Sequence, residues 1–265
     1  MYETTYHKAS SVDDAVGKIG GAEDGKFLAG GQTLIPTMKQ RLAAPDVLVD
    51  LTGIGDLKGI AVDGKSVRIG AMTTHYEVST DDALRAACPT FAMLAGWIGD
   101  PAVRYCGTIG GSIANNDPAA DYPAALLALD ATVHTNKREL TAGEFFVGMF
   151  ETALEEDEIV TAVSFEAPEK AGYEKFRNPA SRYAMTGVFV AKTGDSVRVG
   201  VTGAGNDGAY RWEEAESALG SNFSPDALDG LSVDPADMLE DIHGSAEYRA
   251  NLVKVMAKRA VASAK

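Results

Sequence analysis

Cysteine is scarce in this 265-residue chain, which contains only Cys88 and Cys106. Two cysteines make no disulfide framework, and an iron–sulfur cluster needs four thiolates as a rule. The histidines, at positions 7, 75, 134 and 243, show no metal-ligand spacing with these cysteines. The sequence therefore predicts neither an iron–sulfur cluster nor any other metal site on this chain.

Long hydrophobic runs and an excess of basic residues are also lacking. The longest strongly apolar run, residues 124–129, is far too short to span a bilayer, and the N-terminal MYETTYHKAS does not resemble a secretion signal. Lys and Arg number 24 against 38 Asp and Glu, and the formal net charge of -14 repels a phosphate backbone. These absences predict a cytoplasmic protein with no membrane span and no nucleic-acid partner.

Glycine, by contrast, is plentiful. The 28 glycines of this chain amount to about 11% of its residues, against a typical ~7%. Such a surplus indicates many tight turns, or backbone that approaches a ligand closely. The hydrophobic content of 45% and charged content of 23% are those of an ordinary globular protein.

The hydrophobic pattern changes near residue 170. Before it, short predicted helices (12–19, 37–42 and several within 74–97) alternate with short predicted strands (27–29, 47–51 and 67–69). After it, three longer predicted strands (172–177, 183–191 and 197–202) imply an antiparallel sheet, followed by predicted helices at 212–219 and 247–263. The pattern predicts an α+β protein with a boundary near residue 170. The acidic run at 155–158 is interpreted as a solvated turn.

A first glycine-rich segment, FLAGGQTLIP, occupies residues 27–36 after a predicted strand. Gly30 and Gly31, with Thr33 two positions further on, can bend the chain sharply and expose successive backbone N–H groups. Such a nest of N–H groups binds anions, phosphate above all. Because most Gly–Gly pairs are ordinary turns, this segment alone leaves both interpretations open.

A second glycine-rich segment, RYCGTIGGSIANNDPAADYP, occupies residues 104–123 and repeats this chemistry. Gly107, Gly110 and Gly111 surround Thr108 and Ser112. Two such segments fit a ligand with two adjacent phosphates, held by N–H and hydroxyl donors. Neither segment matches a P-loop or a complete dinucleotide fingerprint.

The polar residues that follow the second glycines have two interpretations. Asp121 can accept hydrogen bonds from the hydroxyls of a ribose or ribityl chain, and Asn115 can contact the same ligand. Alternatively, residues 115–121 supply turns and an N-cap to a helix predicted at 122–129.

Four motifs, in this order, resemble the FAD-binding medium subunit of molybdenum hydroxylases, the carbon monoxide dehydrogenase and xanthine dehydrogenase family. They are AGGQTLIP, GTIGGSIANNDPAADYPAALLALDATV, YEKFRNPASRYAMTGVFVA and DIHGSAEYRANLVKVMAKRAV, and together they cover nearly the whole chain. The resemblance implies a FAD-binding domain of the vanillyl-alcohol-oxidase (PCMH) type at residues 1–169, in two parts of about 1–55 and 56–169. It also implies a C-terminal domain at 170–265, with a three-stranded antiparallel sheet plus helices.

The resemblance also implies which residues contact FAD. Tyr183 falls where relatives place an aromatic residue against the isoalloxazine ring, with Lys175 on the preceding strand, and Thr73 lies in a segment expected near the cofactor. Flavoproteins of this fold that bind FAD covalently use His or Cys, and the first glycine-rich segment has neither, so the FAD is expected to be noncovalent. Cys106, just before the glycines of the second segment, is expected to be a small buried thiol. The implied contacts are Ala29, Gly30, Gly31, Gln32, Thr33, Leu34, Thr73, Thr108, Ile109, Gly110, Gly111, Ser112, Asn115, Asp121, Lys175 and Tyr183.

The function implied by the resemblance is electron transfer. A heterotrimer is expected, commonly doubled into a dimer of heterotrimers, in which a large subunit holds the molybdenum cofactor and a small subunit holds [2Fe–2S] clusters. This chain then needs no catalytic acid or base, because its FAD only relays electrons to an external acceptor. Carbon monoxide is favoured as the substrate, and aldehyde, xanthine or N-heterocycle hydroxylases are alternatives. A stand-alone flavin reductase and a nucleotide-binding subunit without flavin also stay open.

Overall fold

The computed structural model describes residues 1–265. Its first part is a small parallel sheet with two helices. Its elements are β1 (Thr5–Lys8), α1 (Val12–Ile19), β2 (Gly25–Leu28), α2 (Leu34–Lys39) and β3 (Val47–Asp50), with strand order β1-β3-β2. Ser11 caps α1 by accepting the Asp14 N–H at 3.1 Å, so the helix begins where the sequence predicts. The first glycine-rich segment connects β2 to α2.

The second part is a five-stranded antiparallel sheet with most of the helices. Its elements are β4 (Ile60–Asp63), β5 (Ser66–Gly70), α3 (His75–Thr80), α4 (Asp82–Ala87), α5 (Pro89–Gly96), α6 (Pro101–Cys106), α7 (Ile109–Asn115), α8 (Asp121–Ala128), β6 (Thr132–Thr135), β7 (Glu139–Thr141), α9 (Ala142–Phe145), β8 (Phe146–Gly148), β9 (Glu151–Thr152) and β10 (Val160–Glu166). The strand order is β4-β5-β10-β6-β7, while β8 and β9 form a separate hairpin. The last strand, β10, therefore closes the sheet at its centre.

The third part is an antiparallel sheet covered by helices. Its elements are β11 (Lys170–Arg177), β12 (Ala184–Thr193), β13 (Ser196–Thr202), β14 (Tyr210–Arg211), α10 (Glu213–Ser221) and α11 (Ala246–Ser263), in strand order β11-β12-β13-β14. The predicted sheet of three strands is corrected to four, because the two-residue β14 pairs with Gly200 and Val201 of β13. So short a strand carries no alternation that a sequence pattern can detect.

Close backbone packing joins the second and third parts. A Cβ at Gly200 of β13 would lie 2.0 Å from the Ala124 carbonyl oxygen of α8, so only glycine permits this approach. One continuous core then runs from Phe91 and Phe165 to Tyr173 and Phe189. No helix is both long enough and apolar enough to cross a membrane.

Two helices differ from the sequence prediction. The helix predicted at 37–42 is α2 at Leu34–Lys39, because Pro36 falls in the first turn, where its missing N–H costs nothing. The second glycine-rich segment, in which the sequence predicts no helix before residue 122, contains the helix α7 with Thr108 as its N-cap. Both changes occur at the glycine-rich segments.

Candidate functional site

A cleft of about 900 Å³ brings both glycine-rich segments together. Its walls come mainly from residues within 19–34, 98–121, 154–160 and 180–183, which belong to all three parts of the fold. This volume is in the upper part of the range for ligand and cofactor sites. Of the predicted contacts, those that line the cleft are Ala29, Gly30, Gly31, Gln32, Thr33, Leu34, Thr108, Gly110, Gly111, Ser112, Asn115, Asp121 and Tyr183.

The first glycine-rich segment presents free backbone donors to this cleft. The N–H groups of Gly30, Gly31, Gln32 and Thr33 make no hydrogen bond within the protein. Gly31 has φ +68°, in the left-handed region that favours glycine, and this conformation turns the chain from β2 into α2. Since the segment has no cation, its attraction for an anion rests on these N–H dipoles.

The second segment uses most of its N–H groups internally. Ile109 and Gly110 donate to the carbonyls of Thr73 and Ala71 at 3.1 and 2.8 Å, and Gly111 donates to the Thr108 Oγ1 at 3.1 Å. The prediction that both segments offer successive N–H donors is therefore wrong for the second one. The donors that remain at this wall are the Thr108 N–H and the hydroxyls of Thr108 and Ser112, together with the Asn115 amide.

The two segments touch. A Cβ at Gly30 would lie 2.1 Å from the Cys106 carbonyl oxygen, and a Cβ at Gly111 would lie 3.2 Å from the Ala29 Cβ. The absent side chains therefore allow the two backbones to form one continuous wall. Cys106 itself is exposed, which corrects the expectation of a buried thiol.

Asp121 is the acidic residue predicted to contact the ligand, and its carboxylate is already engaged. Lys175 Nζ lies 2.8 and 3.0 Å from its two oxygens, and the Tyr173 hydroxyl donates to one of them. Burial raises the pKa of the Asp121 carboxyl, while Lys175 and Tyr173 oppose that rise. A carboxylate has about four lone-pair sites, so little acceptor capacity is left for a ligand.

Three predicted contacts lie behind the cleft walls. The side chain of Lys175 is fully buried against Asp121, and Ile109 is buried in the core. The Thr73 Oγ1 donates to the Gly59 carbonyl at 3.1 Å and accepts the Gly59 N–H at 3.0 Å. None of the three lines the cleft. Lys175 instead supports the wall through its contact with Asp121.

Tyr183 lies at the cleft and is 47% exposed. The predicted strand 183–191 begins one residue later, at Ala184, so Tyr183 belongs to the preceding turn. Asn178 shapes that turn by accepting the N–H groups of Ala180 and Ser181 at 2.9 and 3.2 Å. The tyrosine ring is thus available to a ligand and is not packed within the sheet.

Two features of the cleft go beyond the sequence prediction, which places His75 only in the segment 69–75 expected near the cofactor and interprets residues 155–158 as a solvated turn. His75 lines the cleft, is buried, and lies 3.1 Å from the Tyr122 hydroxyl through Nδ1, while burial lowers its pKa to about 4. The acidic run at 155–158 is not simply solvated, because it forms part of the wall and Glu158 is buried. Although burial opposes ionisation of Glu158, hydrogen bonds from Arg138 and Thr135 hold its pKa at about 2.

The residues present fit a dinucleotide with two phosphates. The Gly30–Gly31 bend and the two residues after it carry four free N–H donors, the second segment adds hydroxyls, and an aromatic ring lines the same cleft. Comparison with known proteins agrees with this. The chain belongs to the family described as the FAD binding domain in molybdopterin dehydrogenase, whose model matches residues 2–168.

The similarity to particular relatives extends over the whole chain. The carbon monoxide dehydrogenase medium chain of Afipia carboxidovorans is 37% identical, over 98% of this chain and 96% of the relative. The nicotine 6-hydroxylase medium subunit of Paenarthrobacter nicotinovorans is also 37% identical, over 98% and 96%. A chain of the reconstituted CO dehydrogenase from Oligotropha carboxidovorans has a TM-score of 0.88 and 37% identity, over 99% and 98%. The resemblance and the fold class predicted from the sequence are thereby confirmed.

Proposed function

We propose that this chain is the FAD-carrying medium subunit of a molybdenum hydroxylase and relays electrons from a partner's [2Fe–2S] clusters to an external acceptor. The observation that carries the proposal is the contact between two glycine-rich segments at one cleft, with four free N–H groups in the first. Membership of the FAD-binding family and full-length similarity to medium subunits support it.

Bound FAD supplies the redox chemistry, and the residues of this chain bind and orient it. The N–H groups of residues 30–33 would donate to phosphate oxygens, with the hydroxyls of Thr108 and Ser112 opposite them. The ring of Tyr183 would limit access of water to the cofactor at the other end. No acid or base in the cleft is required for electron relay, so His75 and Asp117 have no catalytic role in this proposal.

The partners follow from what the chain does not carry. With two cysteines it has too few thiolates for a [2Fe–2S] cluster, so these clusters belong to a small partner subunit. By the chain's similarity to medium subunits, the molybdenum cofactor belongs to a large subunit. We propose a cytoplasmic heterotrimer that pairs into a dimer of heterotrimers. The division of this chain at residues 169 and 170 forms part of the same proposal.

Carbon monoxide is the favoured substrate of the assembly, because two of the similar relatives are carbon monoxide dehydrogenase medium chains. An N-heterocycle is the second candidate, since the nicotine 6-hydroxylase medium subunit has the same 37% identity. The substrate is oxidised on another subunit, so the cleft described here does not select between them.

The test is to purify the chain with its partner subunits and record its visible spectrum. Flavin and iron–sulfur bands are expected together, and the compound that bleaches both bands identifies the substrate. Carbon monoxide and nicotine are the first two to compare. A chain that stays colourless and cannot be reconstituted with FAD would contradict the proposal. Substrate-dependent NADPH oxidation by the isolated chain would instead support a stand-alone reductase.

A further inference from the structure

His75 is a titratable residue of the cleft to which the proposed function gives no role. It begins α3, and its side chain is buried although it lines the cleft. Its backbone N–H donates to the Gly107 carbonyl at 2.9 Å, so the start of α3 is joined to the second glycine-rich segment. A Cβ at Gly107 would lie 2.7 Å from the His75 Nε2, so this glycine makes room for the imidazole ring.

The imidazole stands near the point where the two glycine-rich segments meet. A Cβ at Gly30 would lie 2.7 Å from the Gly107 Cα, so Gly107 lies between Gly30 on one side and the His75 ring on the other. Gly30 carries one of the free N–H groups, and the hydroxyl of Thr108 follows Gly107 directly. The ring is therefore close to the donors that the proposed function assigns to the diphosphate.

Tyr122 determines which ring nitrogen of His75 carries the proton. Its hydroxyl is fully buried, and its hydrogen-bond partner is the His75 Nδ1 at 3.1 Å. An O–H left unpaired in the core costs free energy, so the hydroxyl donates and Nδ1 accepts. A neutral imidazole then carries its proton on Nε2. Burial and the positive charge of Arg104 lower the pKa of His75 to about 4, so the ring is neutral at physiological pH.

The Nε2–H of His75 has no acceptor in the protein, and it is not sealed inside the core. Among side-chain nitrogen and oxygen atoms that are both unpaired and fully enclosed, the structure contains Arg249 Nε alone, so the His75 Nε2 keeps accessible surface. Since His75 lines the cleft and is otherwise buried, this surface opens into the cleft. Buried donors are almost always paired, so a free one at a cofactor cleft indicates an acceptor on the ligand.

The local charge favours an anionic acceptor. Arg104 forms no ion pair in the protein, and its Nη1 donates to the Ile98 carbonyl at 2.9 Å. Asp100 also lines the cleft, but its charge does not raise the pKa of His75, so the charge felt at the imidazole is positive. A free N–H donor near an uncompensated positive charge suits a phosphate oxygen.

We infer that His75 is a binding residue for the diphosphate of the bound dinucleotide, to which its Nε2–H donates a hydrogen bond. Tyr122 positions this donor by holding the ring in the required tautomer. The contact supplements the second glycine-rich segment, whose own N–H groups are mostly used internally. The inference rests on the proposed function, because it assigns a further contact at the FAD site.

Two substitutions of His75 test the contact. His75→Phe keeps a ring in the core and removes both nitrogens, whereas His75→Gln keeps an N–H donor near the position of Nε2. Flavin fluorescence titration and calorimetry with ADP, on the full-length chain freed of FAD, measure the two affinities. His75→Phe is expected to lower the affinity for FAD and for ADP at least tenfold, and His75→Gln to recover most of the loss. His134→Phe is the matched control, because His134 lies on β6 and does not line the cleft.

Each result separates the inference from the proposed function. Unchanged FAD affinity in His75→Phe, or an equal loss in His134→Phe, would overturn the inference and leave the proposed function intact. A loss for FAD with unchanged ADP affinity would overturn it too, because the contact would then lie outside the diphosphate. A wild-type chain that binds no FAD would instead contradict the proposed function.

NMR of the wild-type chain with labelled histidine tests the inference without a substitution. The His75 proton is expected on Nε2, and its resonance is expected to shift when ADP is added. Tyr122→Phe should release the tautomer and populate the form with the proton on Nδ1. A proton on Nδ1 in the wild type, or an Nε2–H resonance that ADP leaves unchanged, would overturn the assignment.

Discussion

At the scale of single residues, the cleft depends on positions where a side chain is missing. The wall formed by the two glycine-rich segments exists because Gly30 lies directly against the Cys106 carbonyl. Backbone on both sides of this contact leaves no flexible side chain that could move aside. Gly30 and the three residues after it also carry the free N–H groups. A change that separates the two segments therefore also displaces these hydrogen-bond donors.

Replacing Gly30 by alanine is therefore expected to weaken FAD binding by at least tenfold. The new Cβ would lie 2.1 Å from the Cys106 carbonyl oxygen, so the two segments must separate. Gly17→Ala is the matched control, because a Cβ at Gly17 meets nothing within 4 Å on the exposed face of α1. Alanine in a helix should stabilise that variant by roughly 0.5–1 kcal/mol and leave FAD occupancy unchanged. FAD absorbance per purified chain measures the FAD occupancy of both variants. Full occupancy in Gly30→Ala would contradict the assignment.

His75 gives a prediction about pH. Burial and the nearby Arg104 lower its pKa to about 4, against about 6.5 in an unfolded chain. The unfolded state then binds more protons between these values, so stability is lost as the pH falls from about 6.5 to about 4. The size of this contribution is roughly 3 kcal/mol.

The measurement compares the wild type with His75→Gln. The free energy of unfolding in urea is determined at several pH values between 7 and 4.5, and the wild type should lose more stability on acidification than the variant. Carboxylates contribute a pH dependence to both proteins, so the difference between the two slopes isolates His75. Parallel curves would show that the histidine is not buried in its neutral form.

At the scale of elements, Asp121 and Lys175 join α8 to β11. Both side chains are almost fully buried and lie 2.8 Å apart. Removal of one partner leaves a buried charge without compensation, and this typically costs 3–5 kcal/mol. The resemblance assigns Asp121 to cofactor contact, whereas its surroundings give it a structural role as well.

Asp121→Asn and Lys175→Met, alone and combined, separate the two roles. Each single variant is expected to lose about 3–5 kcal/mol of unfolding free energy in the absence of FAD. The double variant should be more stable than either single variant, because no unpaired charge is left. Urea unfolding of the flavin-free chain measures this. Strictly additive losses would mean that the two charges do not stabilise each other.

Other helices and strands show how much of the fold can be predicted from the sequence. Val12–Ile19 and the strands around β12 and β13 follow the sequence prediction within a few residues, because their caps, turns and hydrophobic patterns are local. The helix α7 was missed because Gly110 and Gly111 are poor helix formers. It forms where the carbonyls of Thr73 and Ala71 accept its first N–H groups. The Asp121–Lys175 pair spans 54 positions of sequence and has no local signal.

At the scale of the whole molecule, the core crosses the proposed domain boundary. Residues of β11 and β12, including Tyr173 and Phe189, belong to the same buried cluster as Val67, Phe91 and Val133 of the preceding part. The cleft also takes residues from both sides of the boundary. A boundary that is visible in the sequence pattern therefore need not separate independent folding units.

Residues 1–169 expressed alone are accordingly expected not to fold cooperatively. Without β11 and β12, the apolar side chains around Phe91 and Tyr122 would be exposed, and Asp121 would lose Lys175. Near-UV circular dichroism and urea unfolding should show no cooperative transition for the fragment and a single transition for the full chain. As a control, a protease site introduced between β10 and β11 should permit cleavage of the folded chain without separation of the pieces, because the shared core holds them together. A fragment with a native near-UV spectrum and its own sharp transition would instead establish that residues 1–169 form an autonomous domain.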